Sequence, residues 1–207
     1  FGISTYLSSG APISSGRLDA LADRVISAVR TEKQASAKVL VTDLDETLWS
    51  GIIGDDGPDG IDYRAEGKGF RHFVYQSLLR RLKEEGVLLA AVTKNDQAVA
   101  IVPFERGEMP LKRSDFVAFL ASWNAKSLQI ASLADQLNLG LDAFVFVDDN
   151  PVELAEVARE LPAVHCVRFP ESERELPELL QRLTVLFRRT QTTAEDRERT
   201  ALYQRRL

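Results

Sequence analysis

The sequence predicts a doubly wound α/β fold, a Rossmann-like parallel sheet with helices on both faces. Three observations predict it. Short apolar runs of strand length recur along the chain, segments with helical apolar spacing separate them, and three of the runs end in polar residues. In open parallel sheets that carboxyl edge is where ligands bind.

Phe1 to Ser15 is rich in Ser and Gly without apolar periodicity, as in a loose lead-in. Leu18, Leu21, Val25, Ile26 and Val29 then recur at helical spacing, predicting an amphipathic helix over 16–31. The chain is therefore expected to divide into a lead-in linker and helix at 1–37 and an α/β catalytic domain at 38–207. Lys38 to Thr42 is a buried first strand ending at Asp43. Gly51 to Gly69 mixes glycines with aspartates and a proline, and is expected to be loop or hairpin, not helix. Phe70 to Glu85 is a helix stopped by Gly86, and Val87 to Val92 the second strand. A short helix from Asp96 to about Val102 should end at Pro103. A helix over Ala125 to Leu139 stops at Gly140, Phe144 to Val147 is the third strand, Val152 to Leu161 a helix and Val164 to Phe169 the fourth strand. Past Glu175 the pattern is helical, with Pro177 in a first turn and an apolar stripe of Leu179, Leu180, Leu183, Leu186 and Phe187.

Composition excludes several classes. A net charge of −5 spread over 28% charged residues lacks the basic face that nucleic acid requires. No apolar run reaches the roughly 18 residues of a membrane span, and the first residues lack a signal peptide's charged start and apolar middle, so a cytoplasmic location is expected. The lone Cys166 has no partner for an internal disulfide. Because the chain opens on Phe1 and not methionine, a segment of a longer polypeptide is expected.

The strand ends carry Asp43 with Asp45, then Thr93 with Lys94 and Asn95, then Asp148 with Asp149. Any one acidic end is more simply a cap or turn. Together they supply oxygen ligands for Mg²⁺ and hydroxyl, ammonium and amide donors for a phosphate. The run Asp43-Leu44-Asp45-Glu46-Thr47 after a buried strand resembles the first signature, DxDx(T/V), of the haloacid dehalogenase superfamily. The resemblance implies that Asp43 is a nucleophile and that Asp45 is a general acid and base lending its backbone carbonyl to the metal. It also implies that Thr93 binds phosphate, that Lys126 neutralises nucleophile and phosphate, and that Asp149, supported by Asp148, completes a magnesium site. No insertion is long enough for a large cap, so Gly51 to Gly69 forms only a small flap and the site is open.

Three longer stretches narrow the resemblance: Asp45 to Gly57, Val92 to Asp96 and Leu137 to Glu153. With Phe104-Glu105-Arg106 and Thr193 to Arg197, they look like the FkbH-like glyceryl-transferase family of polyketide pathways. That resemblance implies a domain that takes D-1,3-bisphosphoglycerate, removes a phosphate and loads the glyceryl group onto an acyl carrier protein thiol. The chain departs from the pattern at Val92, where family members carry cysteine before the phosphate-binding hydroxyl. Three outcomes stay open for transfer: Cys166 as acyl carrier, direct delivery to the carrier's own thiol, or loss of transfer activity. Beside glyceryl transfer stand a capless magnesium-dependent phosphatase with an aspartyl-phosphate intermediate, acting on a phosphoprotein or sugar phosphate, and a non-enzymatic docking domain, against which the joint presence of Asp43, Asp45, Lys126 and Asp149 argues. His72 and His165 read as structural or solvated residues; Trp49 and Trp123, near the first motif and Lys126 in sequence, read as core packing, with a wall of the site as the alternative. Arg188, Arg189, Arg205 and Arg206 could face an acidic carrier protein.

Overall fold

In the structure, a computed structural model, residues 37–188 and 199–204 are described, all within a compact unit spanning Ala37–Leu207. The expected lead-in and helix at 1–36, the Thr193 to Arg197 stretch, and Arg189, Arg205 and Arg206 lie outside the described residues.

Five strands form one wholly parallel sheet: β1 Val39–Thr42, β2 Leu88–Thr93, β3 Phe116–Ala121, β4 Phe144–Asp148 and β5 His165–Arg168, in the order β3-β2-β1-β4-β5. The central strands are buried on both faces, so their apolar runs are continuous and not alternating. β3 is an addition to the four expected strands. Phe-Val-Ala-Phe-Leu-Ala is a six-residue apolar run between Asp115 and Ser122, and periodicity alone does not tell a buried strand of that length from a helix segment.

The helices are α1 Ile53–Gly60, α2 Phe70–Glu84, α3 Gln97–Ala100, α4 Val102–Glu105, α5 Lys126–Leu137, α6 Pro151–Glu160, α7 Leu176–Leu186 and α8 Arg199–Gln204. One face of the sheet, with Leu40, Leu89, Ala91, Val145 and Val147, packs on α2 and α7 through Tyr75, Leu79, Leu82, Leu176, Leu179 and Leu183. The other face, with Val39, Val41, Ala90 and Phe146, packs on α5 and α6 through Ile130, Leu133, Leu137 and Val157. Among the described residues no helix is long and apolar enough to cross a membrane.

Two local expectations are corrected. The stretch after β1 contains helical turns, α1, interrupted at Gly57 (φ 69°), where its glycine and aspartate content predicted loop. Asp56 and Asp55 close these turns onto the Ile52 carbonyl at 2.8 and 3.1 Å. Pro103 does not terminate a helix but sits in the first turn of α4, where its missing N–H is not needed. The stop at Gly86 is a left-handed residue with φ 89°, as helix ends favour.

The sheet order reverses between β1 and β4. Strands β2 and β3 extend to one side and β5 to the other, so the crevice of a doubly wound sheet opens where Asp43 and Asp148 emerge.

Candidate active site

Asp43 continues the β1–β4 ladder, its N–H donating to the Val147 carbonyl at 2.9 Å, and its side chain is buried. Asp148 ends β4 on the neighbouring strand, fully buried. Lys126 opens α5 and reaches both: its Nζ lies 3.0 Å from Asp43 Oδ1 and 2.6 Å from Asp148 Oδ2. The second oxygen of Asp148 accepts the Asn150 N–H at 2.8 Å, so both its oxygens are engaged.

Burial dominates the electrostatics here. It pushes the Asp43 carboxyl up to about 7, against the opposing pull of Lys126 and with the added repulsion of Asp148. Burial, then Asp148, also raises Asp149. Burial alone would lower Lys126, but the Asp43 and Asp148 carboxylates outweigh it and raise its pKa. Three carboxylates share one ammonium, so with all three ionised the cluster carries an excess of negative charge, the repulsion that helps raise Asp43 and Asp149. One oxygen each from Asp43, Asp148 and Asp149 lies within 4.8 Å of the others, close to the spread of about 4 Å expected of donors around a single small ion. The donor chemistry, the spacing and the charge deficit all fit a hard divalent cation.

Asp45 leaves the cluster. The chain turns sharply at Leu44, whose carbonyl accepts the N–H groups of Thr47, Leu48 and Trp49 at 3.2, 2.6 and 3.2 Å, while Glu46 takes a left-handed φ of 51°. The Asp45 carboxylate is then held by three donors: Trp49 Nε1 at 2.8 Å, the Ile53 N–H at 3.0 Å and Asn95 Nδ2 at 2.7 Å. The flap thus begins on Asp45, and Ser50 and Asp62 close its base by two backbone hydrogen bonds of 2.8 and 2.9 Å.

The β2 end behaves differently from what its donors alone imply. Thr93 is buried and its hydroxyl accepts from Asn95 Nδ2 at 3.3 Å. Lys94 is half-exposed and paired with Glu153 of α6 at 2.5 Å. Asn95 is turned toward Asp45. The structure therefore brings Asp43, Lys126, Asp148 and Asp149 into one cluster, and places Asp45 with Asn95 and Thr93 beside it.

Sequence reasoning gave no role to Glu153 or Glu156, and read Trp49 and His72 chiefly as packing or surface residues. Trp49 is fully buried yet serves Asp45 through its indole N–H. Glu156 receives Ser127 Oγ at 2.5 Å and the Ser127 N–H at 3.3 Å, serving the start of α5, where the N-cap Ala125 has no side-chain acceptor. Only Trp49, four residues from Asp45 in the signature loop, carried a signal. Trp123 and His165 are exposed. Val92 is fully buried under α5, and Cys166 lies within β5 opposite Phe146, half-buried, with burial raising its thiol.

The N-terminal part of protein BF1531 from Bacteroides fragilis, described as containing a phosphatase domain and complexed with Mg, is 34% identical over 89% of this chain, with a TM-score of 0.74. The fold is that of the haloacid dehalogenase type. The chain spans 50% of the length of that structure. A Mesorhizobium loti structure described as HAD-like shares the fold at 13% identity, covering 75% of this chain and 90% of its own, with a TM-score of 0.50. No protein-family model matches the chain, and no curated protein matches it.

Proposed function

We propose that residues 38–207 form a magnesium-dependent phosphatase domain that works through an aspartyl-phosphate on Asp43. The observation that carries this reading is the convergence of Asp43, Lys126, Asp148 and Asp149 at the sheet's switch point. The likeness to the Bacteroides fragilis domain crystallised with Mg supports it. Asp43 and Asp149, with Asp148 beside them and the Asp45 backbone carbonyl, would hold the ion. Bound Mg²⁺ would supply positive charge to the phosphoryl oxygens.

The protein's own residues do the rest. A carboxylate oxygen of Asp43 attacks phosphorus, forming an O–P bond as the bond to the leaving oxygen breaks, and Asp45 gives that oxygen a proton. Asp45 next takes a proton from water as the water oxygen attacks phosphorus, releasing phosphate and restoring Asp43. Lys126 offsets the negative charge of the nucleophile and the transferred group. Thr93, Lys94 and Asn95 border the phosphate's place, Lys94 exchanging Glu153 for the incoming anion.

Glyceryl transfer is the second reading, supported by the three long sequence stretches and by the lack of a large cap among the described residues. With Val92 in place of cysteine and Cys166 inside β5, the acyl group of 1,3-bisphosphoglycerate would pass directly to an acyl carrier protein thiol. One experiment separates the two. The chain is incubated with Mg²⁺, 1,3-bisphosphoglycerate and a holo acyl carrier protein, and both phosphate release and the carrier's intact mass are followed, with acetyl phosphate as a second substrate. Mg²⁺-dependent phosphate release, abolished by EDTA and without a carrier adduct, is the expected result. A glyceryl adduct, also formed by Cys166→Ala, would establish transfer. Phosphate release indifferent to EDTA would overturn both.

A further inference from the structure

We propose that the Thr47 hydroxyl is a positioning group that sets Asp149 for the divalent cation, and that His72 holds Thr47 in place. The inference rests on Asp149 being a metal ligand, as proposed above.

Thr47 and Asp149 lie 102 residues apart and meet across the crevice between β1 and β4. The Asp149 N–H donates to Thr47 Oγ1 at 3.1 Å, and the same hydroxyl donates to Asp149 Oδ1 at 3.3 Å. One side chain thus grips the aspartate at both backbone and carboxylate, leaving Oδ2 without a hydrogen-bond partner among the described residues. Thr47 is itself fully buried, and its carbonyl lies 2.9 Å from His72 Nδ1. A carbonyl only accepts, so the ring proton is on Nδ1 and His72 donates. His72 Nε2 has no hydrogen-bond partner among the described residues, and the ring stacks on Phe169 at 5.1 Å between centroids. The first turn of α2 is therefore tied through Thr47 to Asp149, and through Phe169 to the residue that follows β5.

Partners of this kind orient metal ligands, and losing one commonly weakens metal binding about 10- to 100-fold. The test is isothermal titration of Mg²⁺ into the wild-type chain, Thr47→Val, Thr47→Ser and Asp149→Asn, with thermal melts in EDTA to verify folding. Thr47→Val keeps the shape and removes both hydrogen bonds. Its Mg²⁺ affinity is expected to fall by that 10- to 100-fold, and Thr47→Ser to restore it. His72→Phe, which keeps the stacked ring but loses the donor, is expected to weaken Mg²⁺ binding, whereas His72→Asn, which keeps a donor, is not. If Thr47→Val binds Mg²⁺ like the wild type while Asp149→Asn does not, the positioning role is overturned and the metal site stands. If Asp149→Asn also binds like the wild type, the metal-site reading falls too. Should Thr47→Val fail to fold, the His72 pair decides: equal affinities in His72→Phe and the wild type overturn the proposal.

Discussion

Asp43 and Asp45 stand two residues apart and occupy opposite surroundings. Asp43 is buried, 3.0 Å from one ammonium, beside a second carboxylate that repels it. Asp45 is only partly buried and is held by three neutral donors from the loop, the flap and the β2 end. The sharp turn at Leu44 sends one carboxylate toward charge and the other toward hydrogen bonds, so the two aspartates of one motif are free to take the different roles proposed for them. The largest expected effect breaks the first half of this comparison. Asp43→Asn keeps the shape and should lower Mg²⁺-dependent phosphate release by at least about 1,000-fold, with the circular dichroism spectrum unchanged. Turnover within tenfold of wild type would remove Asp43 from the chemistry.

The second half breaks next. Asp45→Asn removes the proposed proton carrier but leaves the Asp43 cluster in place, so a loss of about 100- to 10,000-fold is expected. Single-turnover quench experiments sharpen the point, because a good leaving group such as an acyl phosphate needs no proton. Phosphorylation of Asp43 should then survive in Asp45→Asn while its hydrolysis stalls. If both steps slow equally, Asp45 serves the architecture and not proton transfer.

The contrast also shows how much was legible in the sequence. The ends of β1, β2 and β4 could be read because each central strand is buried on both faces, making a continuous apolar run that stops abruptly at Asp43, Thr93 or Asp148. β3 could not be separated from helix, because periodicity alone leaves a six-residue apolar run ambiguous even with Asp115 and Ser122 at its ends. The flap read as loop because glycine and aspartate favour turns, yet carboxylates near Ile52 also suit the start of a helix. Which polar residues would meet was only partly legible. The superfamily resemblance named Asp43, Asp45, Thr93, Lys126, Asp148 and Asp149 as one constellation, but the Lys94–Glu153 pair and the Thr47–Asp149 contact depend on how strands far apart in the chain come together. Lys94 reads as a phosphate donor by residue type, and only the fold reveals the carboxylate beside it.

His72 extends the comparison to a buried group with no charged partner at hydrogen-bond distance among the described residues. Burial lowers its pKa to about 4 from the ordinary 6.5. Above pH 6.5 both folded and unfolded chains are neutral there, so its stabilising contribution is complete. As pH falls from 6.5 toward 4 the unfolded chain takes up the proton first, and the folded state loses ground. Between pH 7 and 5 the wild type should lose about 2 kcal/mol more unfolding free energy than His72→Asn, which keeps a donor for Thr47 and does not titrate. Urea denaturation at the two pH values measures the difference, and equal losses would mean that His72 is not held neutral by burial.

The smallest expected effect tests whether Asp45 depends on its donors. Trp49→Phe keeps an aromatic ring against Phe104, which now lies 6.0 Å away edge-on, and deletes one of three hydrogen bonds to the carboxylate. With Ile53 and Asn95 still donating, the loss should be near 1 kcal/mol, or roughly fivefold in kcat. The substitution also opens space in the core, so a lower melting temperature by itself decides nothing. The deciding comparison is the double variant. If Trp49 acts through Asp45, adding Trp49→Phe to Asp45→Asn should cost no further activity, because the group it positions is already gone. If the two losses multiply, the indole contributes to the site by packing alone, and the contrast between the two aspartates owes nothing to it.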